Sequence, residues 1–239
     1  MKTEGRNAVK ELLKTQKNID KILMEKGAQG SLSVLFAEAR KRNVRVQFVD
    51  KQVLEKESET GRHQGVIAFT TEYEYYDLDD IIESKKSEKG GFIVLCDGIE
   101  DVHNLGSIIR VCECAGVDGV VIPKTGGAPI TESVIRISAG AAEHMKVAKV
   151  ANLNQAVETL KKSGYWVYAL EAGGEDIYAE DFSGNVALVV GGEDSGVKRL
   201  TKEKCDKVVS IPLQGKVNSL NASVALGIAA YEVVRGRLK

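Results

Sequence analysis

From Phe92 to the C-terminus, strand-sized apolar runs recur with helix-patterned segments between them, and no other feature narrows the fold so far. The runs are Phe92–Cys96, Gly119–Ile122, Trp166–Leu170, Val186–Val190 and Val208–Ile211, and helical spacing occupies the stretches near 105–115, 153–163, 198–204 and 220–235. A short unbroken apolar run suits a strand covered on both faces. Its alternation with helices predicts an α/β domain with a mostly parallel sheet between helical layers. Ahead of it, Ala8, Val9, Leu12 and Leu13 follow helical spacing, and Ile19–Leu23, Val44–Val49 and Val66–Thr70 read as short strands separated by helical stretches. The chain is therefore expected to hold a small α/β domain at 1–72, a linker across the acidic, aromatic and charged tract 73–90, and the parallel-sheet domain at 91–239.

With 239 residues, 43% of them hydrophobic, both cores can be filled. A net charge of -1 does not mark a nucleic-acid binder, but the distribution is uneven. Residues 1–75 carry 14 Lys and Arg against 11 Asp and Glu, while the remainder carries 19 against 23. Within the basic front, Arg40-Lys41-Arg42-Asn43-Val44-Arg45 suits phosphates, and it equally suits a solvated helix end. The apolar runs are too short to cross a bilayer and the opening residues lack a signal-peptide pattern, so a cytoplasmic protein without a membrane partner is expected. Cys96, Cys112, Cys114 and Cys205 form no CxxC pair, and His63, His103 and His144 have no ligand spacing. Free thiols and no metal are expected.

The parallel sheet invites a nucleotide-binding fingerprint, but neither GxGxxG nor a P-loop occurs, and HExxH, GxSxG and EF-hand patterns are missing too. What remains are three polar islands at strand–helix junctions, where open α/β sheets place their ligands. The first runs from Asp97 to Arg110. Asn104 reads as the N-cap of the helix that follows, and Arg110, six residues on, lies about 120° around the axis, where it shares a site with Asn104 only if its long arm reaches back. The second, Gly191-Gly-Glu-Asp-Ser-Gly196, permits either close backbone approach to a ligand or a plain turn, although two acids at the end of a buried strand ask for partners or a use. The third runs from Ile211 to Glu232, with a helix expected from about Ser219. Leu220, Val224, Ile228 and Tyr231 form one stripe of that helix, and Ala222, Ala225, Ala229 and Ala230 crowd another side, open to core packing or to a subunit contact.

Taken in order, the three islands resemble the sequence motifs of the SpoU (TrmH) family of RNA ribose 2′-O-methyltransferases. His103-Asn-Leu-Gly-Ser-Ile-Ile-Arg110 is similar to motif 1, Val190-Gly-Gly-Glu-Asp-Ser-Gly-Val197 to motif 2, and Ile211-Pro-Leu through Ser219-Leu-Asn-Ala-Ser-Val-Ala to Glu232 to motif 3. Gly5-Arg-Asn-Ala-Val-Lys-Glu-Leu-Leu13 and Arg62-His-Gln-Gly-Val66 resemble the L30e-like substrate-binding domain of the branch that methylates a guanosine of 23S ribosomal RNA. The pattern departs from the family at Val102, where a proline is common, and at Asp194, where a glycine is common.

The resemblance implies a trefoil knot in the catalytic domain, a homodimer formed through that domain, and S-adenosyl-L-methionine held against Gly191, Gly192, Ile211, Leu213 and Leu220. It implies a catalytic neighbourhood of Asn104, Arg110, Glu193, Ser219 and Asn221, and RNA contacts from Arg6, Asn7, Arg62, His63 and Gln64, to which the basic cluster adds Arg40 and Arg42 as candidates. The family assigns Arg110's counterpart as the general base. A guanidinium is effectively never deprotonated, so the reading here gives Arg110 a neighbouring phosphate and gives the proton to Glu193 or a water. The acceptor is a 2′-hydroxyl, which excludes DNA. Transfer RNA, an antibiotic-resistance site of ribosomal RNA, and a non-catalytic RNA-binding assembly protein are the alternatives.

Overall fold

The computed structural model describes residues 2–15, 19–27, 30–70, 73–85, 88–193 and 195–238. They divide into two compact units, Met1–Glu74 with Pro129–Thr131, and Tyr75–Ala128 with Glu132–Lys239.

The first unit runs β1 (Lys2–Glu4), α1 (Arg6–Lys14), β2 (Ile19–Glu25), α2 (Ser31–Lys41), β3 (Val46–Val49), α3 (Lys51–Glu57) and β4 (Val66–Thr70). Its sheet has the order β1-β4-β2-β3, with β4 antiparallel to β1 and β2, and β2 parallel to β3. The two-residue period of a strand decides which core each side chain enters. Ile22 and Met24 of β2, with Val66 and Ala68 of β4, face the cluster built on Val9, Leu12, Leu32 and Leu35 of α1 and α2. Leu23 and Ile67, one residue out of phase, meet Val49 and Leu54 on the opposite face. β1 carries Lys-Thr-Glu and offers no apolar periodicity, so only pairing with β4 makes it visible.

The second unit comprises α4 (Leu78–Glu83), β5 (Phe92–Asp97), α5 (Val102–Cys114), β6 (Gly119–Pro123), α6 (Glu132–Ile137), β7 (Lys146–Val150), α7 (Leu153–Lys162), β8 (Trp166–Asp176), β9 (Val186–Gly191), α8 (Arg199–Lys204), β10 (Lys207–Ser210) and α9 (Ala222–Leu238). The sheet order is β10-β8-β9-β5-β6-β7, and every neighbouring pair is parallel. All residues of β5, β6 and β9 are buried, as expected of strands covered on both faces. β7 had no counterpart among the apolar runs. It is an edge strand whose two lysines, Lys146 and Lys149, break the apolar run, and charged residues are tolerated on an edge strand.

Within the tract 73–90, Leu78–Glu83 forms a helix started by a reciprocal capping box between Asp77 and Asp80, and its Ile81 is wholly buried in the sheet's core cluster. The chain leaves β5 toward β6 and β7 on one side and returns to β9 on the other. That reversal opens a crevice beyond the carboxyl ends of β5 and β9, which the first and second polar islands follow, and the third island follows β10 at the edge of the same parallel sheet.

Candidate functional site

α5 starts at Val102, the position where the family commonly has proline. Proline is favoured at a first helical residue because the N–H it lacks would have no intrahelical partner there, so valine forfeits only a preset φ. The cap is Asp101, whose side chain accepts from the His103 N–H at 2.9 Å. Asn104 is therefore not the N-cap expected from the sequence. An equally good capping residue precedes it, and Asn104 falls inside the first turn with its side chain buried and free for other partners.

Those partners come from the other two islands. Asn104 Nδ2 donates to Glu193 Oε1 at 3.1 Å, and Asn221 Nδ2 donates to Asn104 Oδ1 at 2.8 Å and also to Glu193 Oε1. Asn221 Oδ1 in turn accepts from the N–H groups of Ser223 and Val224 at 3.0 and 3.3 Å and from Ser223 Oγ at 2.7 Å. Asn221 is thus the N-terminal cap of α9, which begins at Ala222 and not near Ser219. One carboxylate oxygen is fixed by two amide donors, while Glu193 Oε2 receives no hydrogen bond from a described residue. Asp194, beside it, lies outside the described residues.

The loop that carries Glu193 is clamped from two strands. Asp97, at the end of β5 and almost fully buried, accepts from the Lys198 N–H at 3.0 Å and pairs with Lys198 Nζ at 3.1 Å, while its carbonyl accepts from the Gly192 N–H at 3.0 Å. Glu171 Oε2 accepts from the Val197 N–H at 2.8 Å. The glycines are sterically required. A Cβ on Gly191 would overlap the Gly196 carbonyl, and one on Gly192 would lie 2.5 Å from the Gly98 carbonyl oxygen. Gly196 has φ +60°, which side-chain-bearing residues rarely adopt.

A cleft of about 400 Å³ opens along this loop. Gly191, Gly192, Ile211, Leu213 and Leu220 all line it, together with Glu193 and Ser219. Its size is that of a small-molecule site, and its wall combines apolar side chains with glycine backbone. Glu171, also on the wall, had not been singled out. β8 continues past the expected Leu170 through an irregularity in its pairing with β10, and that excursion carries Leu170–Ala172 into the cleft. An acid directly after a buried strand was the available signal. Arg110 stands apart, exposed on α5 and without a hydrogen-bond or ion-pair partner among the described residues.

In the first unit, the Arg6 Nε donates to the Gln64 carbonyl at 2.9 Å, and Gln64 Oε1 accepts from the Arg6 N–H at 3.1 Å. Gln64 itself has φ +51°. His63 is buried, its Nδ1 accepting from the Gly65 N–H at 3.1 Å. Asn7, Arg40 and Arg62 are exposed. Arg42 donates to the carbonyls of Leu12 and Leu13 at 3.2 and 2.7 Å, so it caps the C-terminus of α1. Among the described residues no cluster of His, Cys, Asp or Glu could hold a metal ion, and no helix is long and apolar enough to cross a membrane.

Two family models match, the SpoU rRNA methylase family over residues 91–231 and RNA 2′-O ribose methyltransferase substrate binding over residues 3–76. The chain is 42% identical over 237 residues to YacO of Bacillus subtilis, a protein named for the TrmH family of tRNA/rRNA methyltransferases, covering 98% of this chain and 94% of the relative. The crystal structure of an AdoMet-bound rRNA methyltransferase from Sinorhizobium meliloti superposes with a TM-score of 0.63 at 24% identity, covering 100% of this chain and 88% of that one, and shows the same fold. The A. aeolicus TrmH/SpoU tRNA modifying enzyme is similar at a TM-score of 0.58 and 30% identity, over 67% of this chain and 82% of its own. On these matches the chain belongs to the SpoU rRNA methylase family, as an RNA 2′-O-ribose methyltransferase with the family's substrate-binding domain in front of its parallel-sheet domain.

Proposed function

We propose that this protein methylates the ribose 2′-hydroxyl of a guanosine in 23S ribosomal RNA, with S-adenosyl-L-methionine as the methyl donor. The observation that carries the reading is the convergence of Asn104 and Asn221 on Glu193, which lines a cleft of about 400 Å³. Gly191, Gly192, Ile211, Leu213 and Leu220 would hold the donor, because all five line the cleft and its apolar wall suits an adenosyl group. When bound, S-adenosyl-L-methionine supplies an electrophilic methyl on a sulfonium.

The remaining chemistry falls to the chain. Holding the ribose oxygen in line with that methyl supplies much of the acceleration. Asn104 and Asn221 fix Glu193 Oε1 and leave Oε2 to accept the hydroxyl proton, directly or through a water. Arg110, permanently charged and without a partner among the described residues, binds the adjoining phosphate and lowers the cost of a developing alkoxide. Ser219, on the cleft wall, orients the substrate.

Ribosomal RNA is favoured over transfer RNA by architecture. The rRNA methyltransferase from S. meliloti aligns with the whole chain, whereas the tRNA modifying enzyme aligns with 67% of it. A homodimer through the C-terminal unit is supported by α9, which buries Leu226, Ala229 and Val233 but leaves Val224 and Tyr231 exposed on one stripe. The trefoil knot is part of the same proposal, supported by the hydrogen bonds that bring Asn221 of the third island beside Asn104 and Glu193. The test is incubation of the protein with labelled S-adenosyl-L-methionine and separate pools of ribosomal and transfer RNA, followed by mapping of the 2′-O-methyl group. Label in 23S RNA is expected; cofactor binding with no label in either RNA refutes the enzyme reading.

A further inference from the structure

The basic run from Arg40 to Arg45 does not act as one patch. Arg42 turns inward to the carbonyls of Leu12 and Leu13. Arg40 stays exposed, with its guanidinium carbon 5.7 Å from the centroid of the Phe36 ring. Phe36 is partly buried against the α1–α2 core cluster and touches Phe48, the two ring centroids being 5.2 Å apart at an interplanar angle of 56°. Phe48 lies on β3, the edge strand of its sheet, and remains 44% exposed. Two rings side by side at a sheet edge, one open to solvent and the other capped by a guanidinium, form a surface that core packing does not require.

We propose that Phe48, Phe36 and Arg40 form a stacking platform for an unpaired base of the RNA substrate, with Arg40 and Lys41 meeting the adjoining phosphates. This rests on the reading that the first unit binds RNA. Ring faces and a guanidinium plane accept any nucleobase, because every base presents a π-face, and such stacking is how proteins grip single-stranded loops. The charge fits the same occupant, since Arg40 and Lys41 are both exposed beside the rings and residues 1–75 carry an excess of cations. The matching family model for residues 3–76 is described as substrate binding, which makes RNA the occupant that chemistry and family favour over an apolar peptide. None of Phe36, Phe48 and Lys41 belongs to the residues that the family resemblance assigns to RNA contact.

The experiment measures binding of the full chain to two fluorescein-labelled probes, a short single-stranded oligoadenylate and a fully paired RNA hairpin of equal length, over a series of salt concentrations. Phe48→Ala is expected to weaken oligoadenylate binding by about tenfold or more, to change hairpin binding little, and to leave the salt slope unaltered. Phe48→Trp is expected to restore the affinity. Arg40→Ala is expected to weaken binding to both probes and to lower the salt slope by about 1. An unchanged melting temperature shows that Phe48→Ala is folded. Oligoadenylate binding unaffected by Phe48→Ala, or an equal loss on both probes, overturns the platform. Binding unaffected while the variant alters the mass of the protein in sedimentation assigns the surface to a protein contact and overturns it as well. Failure of the wild type to label ribosomal RNA refutes the proposed reaction instead, so the two failures are separable.

Discussion

Asn221 performs two tasks that two substitutions can separate. Its Oδ1 caps α9 through Ser223 and Val224, and its Nδ2 donates to Asn104 and Glu193. Asn221→Ser keeps an oxygen that can cap and loses the amide donor; Asn221→Ala loses both. A side-chain cap contributes about 1 kcal/mol, and the donor's bonds, one exposed and one part-buried, contribute about 1 kcal/mol more. Asn221→Ser should therefore lower stability by about 1 kcal/mol and Asn221→Ala by about 2 kcal/mol, with each kcal/mol lowering Tm by roughly 2–4 °C in a chain of this size. The chain's single tryptophan, Trp166, lies in β8, so its fluorescence during urea unfolding reports on the unit that contains α9. Methyl transfer should behave differently. Both substitutions release the Glu193 oxygen equally, and a hydrogen bond to a charged group is worth about 1.5–3 kcal/mol, so both variants should lose roughly 10- to 100-fold in transfer from labelled S-adenosyl-L-methionine to ribosomal RNA. If Asn221→Ser keeps nearly full activity, orientation of Glu193 is not used in the reaction. If the two variants are equally stable, the cap is not what Asn221 supplies to α9.

Three further outcomes are expected. Arg110→Ala should abolish transfer while leaving cofactor affinity measured by calorimetry nearly unchanged, because Arg110 does not line the cleft and has no hydrogen-bond or ion-pair partner among the described residues; a large loss of affinity would place Arg110 in the cofactor site. Gly192→Ala should weaken cofactor binding by about tenfold or more, since a Cβ 2.5 Å from the Gly98 carbonyl oxygen can be relieved only by moving the loop; unchanged affinity would show that the loop backbone does not hold the cofactor. Burial raises the pKa of Glu4, but hydrogen bonds from Ser58, Glu59 and Thr60 outweigh it and hold the carboxyl at about 2, below the usual 4.5. A depressed folded-state pKa adds stability that is present above the unfolded value and lost as pH falls through the folded one. NMR signals of β1 and β4 should therefore show acid destabilisation between about pH 4.5 and 2 that Glu4→Gln removes, and an identical acid profile in the variant would contradict the assignment.

Much of the fold is legible in the sequence, because buried parallel strands announce themselves as continuous apolar runs. β5, β6 and β9 fall where their runs predict, and α1 and α7 follow their helical spacing. The misses share a cause. β1 and β7 are edge strands whose residues are polar or interrupted by lysines, and the continuation of β8 beyond Leu170 depends on an irregular pairing with β10. Local pattern cannot register any of these, since the stabilising partner lies far along the chain. The capping of α5 was misplaced by three residues because Asp101 and Asn104 are both good caps, and only the direction of the incoming chain chooses between them.

The candidate site divides along the same line. Residue type and order alone determined that the parallel-sheet domain ends its strands in three polar islands and that Gly191, Gly192, Glu193, Ser219 and Asn221 lie in them, since glycines, amides and a carboxylate after buried strands are local properties. Only the tertiary structure decided which atoms meet. It turned Asn104 from a helix cap into a donor for Glu193, made Asn221 the cap of α9, brought Glu171 onto the cleft wall, and consumed Arg42 in closing α1 while leaving Arg40 beside Phe36 and Phe48. The reason is physical: a polar side chain's role is set by which partner reaches it in space, and Asn104, Glu193 and Asn221 are joined across separations of 89, 117 and 28 residues that no local spacing encodes.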